Sequence, residues 1–157
     1  MTLVVVLVLF VAAAATAAAV VVRNGRRQYA AANQVVPGTA TSAPAEWAGA
    51  HTPEARMHRR LRDAVEAVRA NPAMADAWAL DARVTLEQQA LAVDERLIAV
   101  AALPERVRAE PLAAVASAVD AVEVAVASLV AGPAERQGLD RAMAEVQDRM
   151  AQLQQGG

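Results

Sequence analysis

Residues 112–133 read LAAVASAVDAVEVAVASLVAGP. Leu112, Val115, Val119, Val122, Val126 and Leu129 recur at spacings of 3, 4, 3, 4 and 3. With about 3.6 residues per turn, positions three and four apart share one side of an α-helix. The stretch therefore predicts a helix that lays one apolar stripe against a partner. Val122, Val124 and Val126 also alternate at period two, as a strand would. The longer 3-4 seam and its flanking alanines decide for helix. Gly132-Pro133 ends it, since glycine tolerates the left-handed backbone that closes helices and proline cannot continue them. Beyond the break, Leu139, Met143, Val146, Met150 and Leu153 repeat at 4, 3, 4 and 3. Two such stripes across a short loop predict an αα-hairpin packed in coiled-coil fashion. Gly138 weakens the start of its second helix by about 1 kcal/mol relative to alanine.

Upstream, residues 104–111, bounded by Pro104 and Pro111, read as a hinge or as a helical turn over Glu105 to Glu110, and residues 71–103 as one long helix. Leu80, Val84, Leu91 and Ile98 share one face of that helix. Leu86, Val93, Leu97 and Val100 lie nearly opposite, because Leu91 and Val93 point about 200° apart. A helix apolar on two sides is sandwiched between partners, either as the central helix of a bundle or as a shared element of an oligomer. Before it, Thr52-Pro53-Glu54 is a start signal: Thr as N-cap, Pro at the first helical position, and an acid in the first turn. Met57, Leu61, Ala64, Val65 and Val68 follow at helical spacing. Residues 51–155 are thus predicted to be a small α-helical bundle of three or four antiparallel helices, ending in the hairpin.

Residues 71–80 (NPAMADAWAL) resemble the opening of a tetratricopeptide repeat. The short paired helix does not follow and no second copy is found. Such repeats need several copies to bury a continuous core, so the family is not adopted.

Residues 34–50 carry Pro37-Gly38 and Pro44 among small and polar residues, the composition of a Pro/Ala linker. Trp47 is its exception and is expected to dock on the bundle. Residues 2–22 contain no charge and are nearly all Val, Leu and Ala. A helix of that length spans about 30 Å, enough to cross a bilayer. Arg23, Arg26 and Arg27 follow at once, with Tyr29 behind them. The positive flank favours a cytoplasmic C-terminal side. The organisation expected is a transmembrane anchor over 1–22, a basic juxtamembrane segment and flexible linker over 23–50, and the soluble domain over 51–155. The alternative is an exported envelope protein, with cleavage of a signal peptide near Ala15-Thr16-Ala17.

All 15 basic residues are arginine and no cysteine is present, which removes disulfides and thiolate chemistry. Every acidic residue lies at or after Glu46, where 17 acids against 12 arginines leave a net charge of −5. Binding to nucleic acid needs the opposite sign.

Chemistry-bearing residues are few. His51, Glu54 and His58 sit near one helix start and form the only candidate for a metal or enzymatic site. The structural alternative is two exposed histidines. His58, Arg59, Arg60 and Arg62 form a basic run suited to an acidic partner or to local ion pairs. Asp94, Glu95, Asp120, Glu123 and Glu87 lie beside apolar stripes without an evident histidine or serine partner. No phosphate-binding loop, nucleophile elbow or HExxH motif occurs. The expectation is a membrane-tethered interaction or scaffolding module at the plasma membrane, single-pass and not an enzyme. It would have no cofactor, nucleic acid or small-molecule substrate. Residues 2–22 would hold the bilayer. The partner-facing candidates would be Trp47, Trp78, Leu86, Val93, Leu97 and the basic run, toward another protein or a second copy.

Overall fold

The computed structural model describes residues 33–72, 77–132 and 136–155. The anchor expected over 2–22, with Arg23, Arg26, Arg27 and Tyr29, lies outside the described residues. Those that are described form four α-helices and one short 3-10 turn, with no strand: α1 Pro53–Ala70, α2 Ala77–Ala101, α3 Glu105–Ala131 and α4 Arg136–Gln155, preceded by the turn Ala45–Ala48.

Three of the described helix boundaries have a local cause. The Thr52 hydroxyl accepts the Ala55 N–H at 3.3 Å and Pro53 occupies the first turn, where its missing N–H costs nothing. Residues 102–104 turn α2 into α3, with the Leu103 N–H donating to the Val100 carbonyl at 3.0 Å. Gly132 closes α3 at φ 95°, a conformation that disfavours any residue with a Cβ. Of the two readings of residues 104–111, the helical one from Glu105 holds and the hinge does not. Helix α3 already begins at Glu105 and carries Pro111 inside it. Pro111 removes one backbone hydrogen bond, in a stretch where residues 105–107 are exposed and water can serve the freed carbonyl.

Helix α3 touches each of the other three, α2 touches α1 and α4, and α1 does not touch α4. The seam that predicted α3 is its buried face: Val115, Val119, Val122 and Leu129 are fully buried, whereas Val124 is 58% exposed. Leu139, Val146 and Leu153 of α4 meet it, with Met143 and Met150 at its edge. Helix α3 is also long and apolar enough to cross a membrane by length and composition, with 44% of its most apolar window buried inside the bundle.

Helix α2 corrects a reading. Leu86, Val93, Leu97 and Val100 are all within 2% of full burial, in the chain's own core. Leu86, Val93 and Leu97 are therefore covered by α1, α3 and α4 and are not free to face a partner. The other face is uneven: Leu91 and Ile98 pack against the core, whereas Leu80 and Val84 stand 39% and 46% exposed.

The segment from Asn33 to Ala50 is a second correction. It belongs to the same compact unit as the helices, and Val35, Val36 and Trp47 are buried. Val36 to Thr39 form a turn, with Pro37 and a positive-φ Gly38 at its centre and the Thr39 N–H donating to the Val36 carbonyl at 3.0 Å. Composition marks proline, glycine and alanine as linker material, yet three large apolar side chains suffice to fold this strap down.

Candidate functional site

The polar residues that sequence reasoning left unpaired meet under that strap. His58 on α1 is fully buried, and its Nδ1 lies 2.6 Å from Oδ1 of Asp94 on α2, itself 3% exposed. Its Nε2 donates to the backbone carbonyl of Asn33 at 3.0 Å. Trp47 closes the ring's side edge-on, with 5.5 Å between centroids. Asn33 Nδ2 donates to the Pro44 carbonyl at 3.1 Å, which ties the start of the strap to the residue before its 3-10 turn. Arg59 holds the strap from outside, donating to the carbonyls of Ala50 at 2.6 Å and Trp47 at 3.0 Å.

This corrects three expectations. His58 is not an exposed member of a basic run. It shares the apolar face of Leu61 and Val65, three and seven residues on. Asp94 does have a histidine partner, 36 residues earlier in the chain. And Glu54, His51 and His58 do not converge: Glu54 is held by Arg108 of α3 at 3.3 Å, His51 is exposed, and His58 turns inward. Among the described residues no group of three acidic, histidine or cysteine side chains is placed to hold a metal ion. Nor is the pair arranged as a general base. Both ring nitrogens are taken, one by a carboxylate and one by a main-chain carbonyl, so none faces a nucleophile.

The rest of the basic run is also engaged. Arg60 makes a two-pronged contact with Glu123, 2.8 and 2.6 Å, and reaches Asp120 at 2.6 Å. Hydrogen bonds to Glu123 and then Asp120 hold the guanidinium more firmly protonated than usual, against the opposing effect of burial. Arg62 pairs with Asp63 at 2.8 Å, and Arg69 pairs with Glu87 at 2.7 Å. These pairs are partly solvated and each contributes at most about 1 kcal/mol. A buried pair such as His58–Asp94 costs several times that when one partner is removed. Trp78 is half-buried, with the Arg136 guanidinium 4.6 Å from its ring centroid, a cation–π contact that pins α4 to α2.

Glu54 is almost buried, and desolvation alone would raise its pKa. The backbone N–H groups of the helix start, the Thr52 hydroxyl and Arg108 outweigh that and hold it below the ordinary carboxylate value. A depressed folded-state value contributes stability that is complete above the unfolded value, about 4.3. It is lost as the pH falls through the depressed one. Glu54→Gln is therefore expected to flatten the acid limb of a stability profile. Urea melts at neutral pH and near pH 3, in wild type and variant, check this; parallel acid losses in both would contradict it.

Grooves open on the surface among the described residues. One, of about 630 Å³, lies between α1 and α3, with Met57, Leu112, Ala113 and Ala116 in its floor and Arg56 and Arg60 on its rim. Another, of about 390 Å³ between α2 and α4, is lined largely by Gln88, Gln89, Gln147 and Gln154. Neither contains the His58–Asp94 pair.

No family model, curated protein or solved structure matches this chain.

Proposed function

We propose that the chain is a single-pass plasma-membrane protein whose cytoplasmic helical domain is a docking module and not an enzyme. The observation that carries this reading is the groove between α1 and α3. Residues of α1 and α3 alone line it, so its mouth is not covered by α2 or α4. The opening is floored by Met57, Leu112 and small alanines that let a backbone approach closely, and Arg56 stands exposed on its rim. That surface suits the apolar face of an amphipathic helix with an acid at its edge. The apolar, uncharged run of residues 2–22 and the arginines behind it support the membrane tether. The His58–Asp94 pair, with both ring nitrogens engaged inside the protein, supports a docking role over an enzymatic one.

A photo-crosslinking amino acid at Ala113, in the full chain expressed in cells, tests the module. The expected result is a discrete adduct from Ala113 and none from exposed Glu66, on α1 outside the residues that line the groove. No adduct from Ala113, or the same adducts from both positions, would overturn the reading.

A further inference from the structure

The buried histidine counts protons. A carbonyl oxygen only accepts, so the Nε2 that faces Asn33 at 3.0 Å must carry hydrogen. Nδ1 and the Asp94 oxygen, 2.6 Å apart, also need a proton between them, whichever of the two holds it. The ring and the carboxylate together thus keep one proton more than a neutral ring beside an ionised acid.

If that proton is taken away, a neutral imidazole has a single N–H to give and two acceptors to serve. An ionised carboxylate is the stronger acceptor of the two. The ring then keeps its N–H on Nδ1, toward Asp94, and Nε2 turns a lone pair on the Asn33 carbonyl. What was the strap's hydrogen bond becomes a contact between two acceptors. Among the described residues no other charge is placed to compensate. On α1, Glu54 one turn earlier is held by Arg108 of α3, Arg59 by the strap carbonyls, and Arg62 one turn later pairs with Asp63. On α2, Glu95 is exposed and Arg96 makes no bond to Asp94. On the strap, Glu46 is exposed.

We propose that residues 33–50 are a proton-dependent latch, closed on the bundle while the His58–Asp94 pair holds its extra proton and released from His58 when that proton leaves. The inference does not depend on what fills the α1–α3 groove. It gives the chain a pH-sensitive element where the preceding sequence joins the helices. Closure is favoured at lower pH and lost as the pH rises.

Trp47 reports the latch, since it is buried against the His58 ring when the strap is closed. In the full chain, in detergent, with Trp78→Phe to silence the other tryptophan, emission is followed across the pH range over which the helical circular dichroism is unchanged. The expected result is a reversible shift to longer wavelength with rising pH, at unchanged helical circular dichroism. In His58→Gln, whose side-chain amide donates to the Asn33 carbonyl at every pH, the shift is lost. In His51→Asn, at the exposed histidine, it persists. If His58→Gln does not fold, Asp94→Asn takes its place, because without the carboxylate the ring no longer chooses Asp94 over the strap and the shift is again lost. A flat wild-type profile would overturn the proposal, as would the same shift in the variant at position 58 or 94.

Discussion

Asp94→Ala is expected to lower the unfolding free energy by about 3–5 kcal/mol, the range for leaving one member of a buried ion pair without its partner. The loss is large because the His58 ring has no route to water: it is fully buried, roofed by Trp47 and tied on its far side to Asn33. Against a total stability of about 5–15 kcal/mol, it would leave much of the chain unfolded at modest denaturant. Asp94→Asn keeps a hydrogen-bond partner for Nδ1, through its amide N–H, and should cost less. A double-mutant cycle with His58→Ala isolates the pair, and coupling of about 0.5–3 kcal/mol is expected. Additive single losses would show that the two residues matter only through packing.

Leu97→Ala is expected to cost about 2–5 kcal/mol, as core leucine truncations do. Leu80→Ala on the same helix should stay within about 0.5 kcal/mol. Leu97 is fully buried and Leu80 is 39% exposed, so the contrast separates a helix that faces one core from a helix held on both sides. Urea melts of the full chain in detergent measure both. A comparable loss at Leu80 would mean that its face is covered in solution, by a second copy or a further partner.

The helices were legible because they obey a short repeat. Val115, Val119, Val122, Val126 and Leu129 announce their face by spacing alone, and every one of them is buried. The Gly132 stop and the Thr52 cap are equally local. Tertiary facts were less so. Spacing shows that α2 is apolar on two sides but not which side the chain covers itself, and Leu86, Val93 and Leu97 proved to be core. Pro104 and Pro111 punctuate the sequence alike, yet the first precedes a helix and the second sits inside it.

The His58–Asp94 pair was the costliest omission. A signal existed. His58 falls on the stripe of Leu61, Val65 and Val68, and Asp94 on that of Ala90 and Leu97. Polar groups at seam positions on two neighbouring helices invite pairing, because an isolated buried charge is not tolerated. The basic run around His58 drew attention outward instead. The strap was hidden for a different reason: proline and glycine mark a change of direction, and composition does not say whether Val35, Val36 and Trp47 then fold down or stay in water.

The proposed placement of the helical module, tethered at the cytoplasmic face of a membrane, can be read on intact cells. The lack of cysteine makes its most direct test simple. Ser42, exposed on the strap, is replaced by cysteine in the full chain. Intact cells are treated with a membrane-impermeant thiol reagent and the mass of the band is read. The result expected is no labelling until lysis, at full-length mass. Labelling of intact cells would contradict the claim, and a mass lower by about two kilodaltons, the size of a removed signal segment, would show that the tether is cleaved.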